Sequence, residues 1–342
     1  MEKACPGDRG KGTTCKDCLH AHSSSLMKEC KGQRNAVKWY CGGGGGGGDD
    51  APTFTASMVL MMGGGMTHYN GNQFDVVSTY TGRGIQVIGL CFSGNNGEDK
   101  SIAMKGDGWE TTPADNPKPI LAAACRPATA LRYFFDHQHG GDTTRAYGIF
   151  GHSGGSAAAS YSLAHYGAAE WVDYAQVSAG PVFGRIDLGC ENSTPFKRLP
   201  SQCAGQPAAG KSTTYGPQRG AAMDSWTGEP SGTCCGSTPP SSAALARLKA
   251  GSVVSPGAVY VWPKTFVGFW YCNGNEGSCS NGQGAYFVDQ VVNATQHDAR
   301  LTDNVGITCI GGQCHGEGAW TDPTGFAEMK AETLKQLVPR HT

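Results

Sequence analysis

Apolar residues in this chain fall into short blocks separated by glycine-rich and polar connections. Ser57 to Met62 is a strand-sized apolar run that ends in Gly63-Gly64-Gly65. Gln86 to Phe92 is a second, carried by Val87, Ile88 and Leu90, and Gln73 to Thr81 between them predicts a short helix. Leu121 to His137 has helical apolar spacing and ends in Tyr133, Phe134 and Phe135. Ala146 to Phe150 reads as a strand, followed by the small-residue stretch Ser156 to Gly167. Trp171 to Val182 is apolar and breaks at Gly180-Pro181, and strand-like runs resume at Thr265 to Cys272 and Val305 to Ile310. The last helix is the best signalled. Asp322 can cap it, Pro323 suits its first turn, and Phe326, Met329, Leu334 and Leu337 form an apolar stripe. Strands alternating with helical segments predict an α/β fold, a mostly parallel central sheet with helices on both faces.

Two stretches break this rhythm. Residues 1–41 are polar and hold Cys5, Cys15, Cys18, Cys30 and Cys41, and the run Gly42 to Gly48 follows, then Asp49-Asp50. Glycine tracts are flexible linkers, so the expected layout is a cysteine-rich N-terminal extension or small module (1–41), a linker (42–50) and a main domain (51–342). Within that domain, residues 184–256 are rich in Gly, Ser, Pro and Cys and show little periodicity. A structureless loop of that length does not suit a compact domain. The stretch therefore reads as a Cys-rich lid or cap insertion, pinned by Cys190, Cys203, Cys234 and Cys235.

Composition narrows the compartment and the partners. Fifteen cysteines exceed what a reduced cytosolic enzyme needs, and they point to disulfides in an oxidising, extracellular setting. Asn192-Ser193-Thr194 and Asn293-Ala294-Thr295 fit glycosylation sequons but arise easily by chance. Met1-Glu2-Lys3-Ala4-Cys5 lacks the apolar core of a secretion signal, so secretion implies a signal outside this sequence. A net charge of −1 gives no electrostatic footprint for nucleic acid. No apolar run is long enough to span a bilayer. The oligomeric state is not legible.

The chemistry concentrates at Gly151-His152-Ser153-Gly154-Gly155, a G-x-S-x-G pattern set between a strand and a helix. A turn this sharp forces the serine into a strained conformation and demands small residues two before and two after it. It lifts the hydroxyl above the sheet edge, which makes Ser153 the candidate nucleophile. A serine needs a base, and the base needs a group to orient it. Of ten histidines, His315 is the choice, because it follows the strand Val305 to Ile310 in a glycine-flanked loop. His297 lies in a helix-like stretch with no strand before it. His152 is read as a packing residue whose ring turns away from Ser153. Glu276 is the one carboxylate in the turn after Thr265 to Cys272, with Asp289, Asp298 and Asp303 as fallbacks. An oxyanion hole needs two backbone donors. The N–H of Gly154 is one, and the glycine loop after the first strand supplies the other, through Gly64 or Gly65.

From about residue 52 onward the chain resembles an α/β-hydrolase-fold serine hydrolase of esterase or lipase type. The elbow at 151–155, the glycines at 63–65, Glu276 and His315 carry the resemblance, in that family's order of nucleophile, acid and base. It departs from the pattern in two places. No histidine opens the glycine loop, and the acid is Glu where Asp is more usual. The resemblance implies a carboxylic-ester hydrolase that works through an acyl-enzyme, needs no cofactor or metal, and acts on a small-molecule or polymeric ester. Trp226 and its neighbours in the insert would then help shape acyl or alcohol preference. Two other functions stay open: an acyltransferase with the same triad, and a non-catalytic binding protein on a hydrolase scaffold. Cys15-Lys16-Asp17-Cys18 with His20, His22, Cys30 and Cys41 resembles half a zinc site but lacks the matching second pair, which favours disulfides.

Overall fold

The structure, a computed structural model, describes residues 54–61, 63, 74–90, 109–110, 120–190, 240–272, 280–295, 304–310 and 323–338. Six strands form one sheet: β1 (Ala56–Met61), β2 (Ile85–Leu90), β3 (Ala146–His152), β4 (Tyr174–Ser178), β5 (Phe266–Cys272) and β6 (Val305–Ile310). Their spatial order is β2-β1-β3-β4-β5-β6, and every neighbouring pair runs parallel. Parallel neighbours require long crossovers, and helices supply them. α1 (Phe74–Thr81) joins β1 to β2, and α2 (Ile120–Ala123) and α3 (Cys125–His137) lie between β2 and β3. α4 (Gly154–Tyr166) leads to β4, α5 (Ile186–Cys190) and α6 (Ser242–Gly251) to β5, α7 (Ser280–Thr295) to β6, and α8 (Pro323–Leu337) follows β6.

Alternating residues of each strand feed two separate cores. Val59 and Met61 of β1 and Val267 and Phe269 of β5 pack with α3, α4 and α7 on one face. Met58 and Leu60 of β1 and Trp270 of β5 pack with α1 and α8 on the other, through Val76, Tyr80, Met329 and Leu337. Strands β1 and β4 are buried at every position, as central strands covered on both faces must be. The expected parallel sheet sandwiched by helices is therefore what the chain forms.

The predicted helix 121–137 is split. Pro127 has no N–H to give the Ala123 carbonyl, so the helical run restarts as α3 after Ala124. The apolar run 171–182 contributes only five residues of strand, Tyr174–Ser178, before the chain leaves the sheet at Ala179.

The lid reading of 184–256 is corrected at both ends. Residues 184–190 and 240–256 belong to the helical layer of the main core. Ile186 and Cys190 of α5 and Leu248 of α6 are buried in the same cluster as α4. Ser241 caps α6 by accepting the Ala244 N–H at 3.2 Å, a start signal masked by the serine and proline around it. The two ends meet in a neck. Val253 and Val254 donate to the carbonyls of Phe183 (2.9 Å) and Gly184 (3.0 Å), and Ile186 N–H donates to the Ser252 hydroxyl at 2.8 Å. Residues 191–239, with Cys203, Cys234, Cys235 and Trp226, lie outside the described residues, as do segments 1–41 and 42–50.

Candidate active site

Because all six strands are parallel, their carboxyl ends share one edge of the sheet, where open α/β sheets place their ligands. Met61, His152, Ser178, Cys272 and Ile310 end their strands there. Ser153 is the first residue beyond β3. It stands at φ 53°, ψ −117°, outside every region that favours an L-residue, and α4 starts at the next position. Serine at a helix N-cap ordinarily gives its side chain to the first turn, yet Ser153 makes no capping bond. Its hydroxyl is not committed to the helix.

The strained turn is held from three sides. The Ser153 N–H donates to the Ser178 carbonyl at 3.0 Å, tying the elbow to the end of β4. Its own carbonyl accepts the N–H of Ser156 at 3.0 Å and also the Ser156 hydroxyl. Gly151 and Gly155 are in direct contact: a Cβ on Gly151 would lie 2.8 Å from the Gly155 carbonyl carbon and 2.8 Å from Ser156 Cα. Glycine at the first outer position of G-x-S-x-G is thus a steric requirement of this turn. The N–H groups of a helix's first turn have no acceptor within the helix, so the Gly154 donor sits beside Ser153 with the positive end of the α4 dipole behind it.

The glycine loop after β1 reaches the nucleophile through Gly63. A Cβ on Gly63 would stand 3.3 Å from Ser153 Cβ and 3.7 Å from its Oγ. Sequence reasoning placed the second oxyanion donor on Gly64 or Gly65, which lie outside the described residues. Gly63, the described member of the trio, lies against Ser153. His152 packs where its neighbours suggest. Its ring lies against Gly63, with Cδ2 3.6 Å from that same Cβ position, and its Nδ1 is 3.4 Å from the Ser178 hydroxyl. The residue is 7 % exposed, which suits a filler between two site loops.

The structure therefore assembles Ser153, Gly154 and Gly63. Glu276 and His315 lie outside the described residues, as do His297, Asp298, Asp303 and the Cys15–Cys41 segment. The strands that lead to them are placed: β5 ends four residues before Glu276 and β6 five residues before His315. Asp289 sits on α7, in the helical layer against Tyr271, rather than at a strand end. Sequence reasoning missed Ser178 and Ala179. Ala179 adopts φ 52° beside the elbow, and its only sequence signal is the break of an apolar run at Gly180-Pro181. Among the described residues, no group of three or more His, Cys, Asp or Glu is arranged to hold a metal ion. Among them too, no helix is long and apolar enough to cross a membrane.

Sheet order and elbow together define the class: a parallel α/β sheet covered by helices on both faces, with a serine at the turn after its third described strand. No family model and no curated protein matches the chain. Among solved structures it is similar to carboxyl esterase 2 of the mycorrhizal fungus Tuber melanosporum, at 15 % identity and TM-score 0.44, over 84 % of this chain and 81 % of that one. It is similar to a lipase in an open form, at 15 % identity and TM-score 0.48, over 83 % and 90 %. An esterase of Pyrobaculum calidifontis is similar at 12 % identity and TM-score 0.48, over 95 % and 93 %.

Proposed function

We propose that this chain is a serine carboxylic-ester hydrolase. The observation that carries the reading is Ser153. It sits at a positive-φ turn at the carboxyl edge of a parallel sheet, with the backbone of Gly154 next to it and Gly63 of the loop after β1 packed against it.

In this mechanism His315 accepts the Ser153 proton as Oγ attacks the ester carbonyl, and Glu276 orients His315 and stabilises the imidazolium. The N–H of Gly154 and a donor from the 63–65 loop bind the oxyanion; one such donor contributes on the order of 3 kcal/mol to transition-state stabilisation. His315 then returns the proton to the departing alkoxide. Water, deprotonated by the same histidine, attacks the acyl-enzyme and frees the acid and Ser153. No cofactor enters the cycle.

The sheet supports the reach this requires. Strands are about 4.8 Å apart, so β5 and β6 stand roughly 10 and 14 Å from β3. Four extended residues span up to ~14 Å and five up to ~17 Å. Glu276 and His315 are thus each within chain reach of Ser153 from the ends of their strands. The same proposal places the protein in an oxidising compartment. The fifteen cysteines of the chain support this.

The test is hydrolysis of p-nitrophenyl esters of graded chain length by wild type and by Ser153→Ala, Glu276→Ala and His315→Ala. Activity in the wild type that falls by about 10³ or more in folded Ser153→Ala and His315→Ala supports the triad. Full activity in Ser153→Ala overturns it. A folded wild type inert toward every ester, and active only when an alcohol or amine acceptor is supplied, points to acyl transfer. Inertness with all acceptors points to a binding protein.

A further inference from the structure

Among the described residues, two that are not glycine stand at positive φ: Ser153 at 53° and Ala179 at 52°. They follow the carboxyl ends of neighbouring strands, β3 and β4, where His152 is paired with Ser178. A residue with a side chain is strained there, and the strain persists only where its surroundings impose it. At Ser153 the elbow turn is the cause. Ala179 needs a cause of its own.

The packing shows what the strain at Ala179 does. Along β4, Ala175 and Val177 belong to the core shared with α4, and Tyr174 to the core shared with α8. Alternation would send Ala179 with 175 and 177. It is instead buried in the α8 core, at 0 % exposed. At φ 52° the chain has carried its methyl to the face away from α4. On the α4 side no methyl fits. A Cβ on the next residue, Gly180, would fall on the Ser156 hydroxyl and lie 2.9 Å from the Val182 backbone nitrogen and 3.1 Å from Ser156 Cβ. Gly180 has no room to retreat, because its carbonyl touches Gly284 of α7 so closely that a Cβ on Gly284 would fall on it. The first turn of α7 is itself anchored, with Gln283 Oε1 accepting the Arg185 N–H at 2.7 Å.

The turn 178–180 holds Ser153 from both of its peptide groups. The Ser178 carbonyl accepts the Ser153 N–H at 3.0 Å. Gly180 packs on the Ser156 hydroxyl, which donates to the Ser153 carbonyl. Between them, the Ala179 N–H donates to the Trp270 carbonyl at 3.2 Å and ties the turn to β5. We infer that Ala179 is a positioning residue: its positive-φ conformation sets Ser178 and Gly180 on the two sides of Ser153 and so fixes the backbone of the nucleophile. This rests on the hydrolase reading of Ser153 above.

Hydrolysis of p-nitrophenyl acetate by the full-length chain, normalised to active sites by burst amplitude and set beside a thermal melt, tests this. Ala179→Gly keeps φ 52° accessible without strain. Ala179→Val does not, because a β-branched residue is an outlier at positive φ. For Ala179→Val, kcat per site is expected to fall about tenfold or more with KM changed less than about twofold, since a displaced nucleophile loses rate rather than binding. Ala179→Gly should keep at least about half of the wild-type kcat per site. A second pair of variants decides the matter if Ala179→Val fails to fold. Gly180→Ala should cost more kcat per site in the wild-type background than in Ser156→Ala, where the hydroxyl it strikes is gone. A merely structural role would lower the burst amplitude or the melting temperature of Ala179→Val and leave its kcat per site at the wild-type value; that result overturns the inference. So does Ala179→Gly as impaired as Ala179→Val, or a Gly180→Ala cost that is equal in the two backgrounds. A wild type without Ser153-dependent turnover overturns the hydrolase reading, and this inference falls with it. An active wild type with unaffected variants overturns this inference alone.

Discussion

Replacing Gly151 by alanine probes the elbow at its tightest point. The added methyl would stand 2.8 Å from the Gly155 carbonyl carbon and 2.8 Å from Ser156 Cα, where ordinary contact begins at 3.4 Å. The turn must therefore open by at least 0.6 Å, the difference between 3.4 and 2.8 Å. It cannot do so by a side-chain rotation, because both atoms met are backbone. The segment that has to move, 153–156, carries the nucleophile, the Gly154 donor and the Ser156 clamp. A misplacement of ~1 Å costs about 100-fold in rate, so 0.6 Å predicts a loss of at least about tenfold, or ~1.4 kcal/mol of transition-state stabilisation. Overpacking adds a stability cost of about 1–3 kcal/mol. The assay is kcat per active site for p-nitrophenyl acetate, titrated by burst amplitude, beside a thermal melt. Gly151→Ala with wild-type kcat per site and an unchanged melting temperature would refute the contact and, with it, the steric account of the motif.

Further outcomes follow from buried polar groups away from the elbow. Glu110 is 2 % exposed, and burial pushes its carboxyl up to about 8, only partly offset by a bond to its own backbone and by Arg126. The folded state holds this proton more tightly than the unfolded chain, so the stability linked to it is complete below pH 4.5 and is lost as pH rises from 4.5 to about 8. Glu110→Gln is accordingly expected to gain stability over the wild type at pH 8.5 and not at pH 4.5; urea midpoints at the two values check this. His139 is 0 % exposed and held neutral, its pKa lowered first by burial. Its Nε2 faces the Asp142 and Arg145 carbonyls (2.9 and 3.1 Å), so Nε2 carries the proton, and Nδ1 lies 2.8 Å from the Ser57 hydroxyl oxygen. Its contribution is complete above pH 6.5 and is lost as pH falls through 6.5 toward the depressed folded value. The urea midpoint between pH 7 and 5 should therefore drop less in His139→Gln than in the wild type. Thr333 of α8 is fully buried and donates to Gln176 Oε1 at 2.9 Å, across the second core. Thr333→Val should cost about 1–3 kcal/mol in chemical denaturation; no change would mean the α8 docking does not depend on that bond.

Features set by near neighbours in the chain were legible in the sequence. The elbow was, because the clash that demands glycine at 151 arises within a few residues. The six strands were found to within a residue or two, apart from the overlong run at 171–182, because apolar blocks bounded by glycine and polar turns carry their own limits. The start of α8 at Pro323 was found through Asp322 and Pro323. The common direction of the strands followed from the helical spacers between them, whereas their spatial order came only from the structure.

What stayed hidden depends on contacts between distant residues. Segments 184–190 and 240–256 read as part of a lid or cap insertion, yet Phe183 with Val253 and Ile186 with Ser252 close a neck that puts α5 and α6 into the core. Gly63 lies against Ser153 because the register of β1 on β3 carries the end of β1 to the elbow: Met61 stands opposite Gly151. The Gln283–Arg185 bond joins two segments whose separation no local pattern records. The sequence by itself determined the alternation of strand and helix and the strained turn at Ser153, since both follow from sterics and hydrophobic period over a few residues. Only the tertiary structure decided that Gly63 lies against the nucleophile, which polar groups are buried and where the ends of the insert belong, because burial and register are properties of the assembled sheet and its helices.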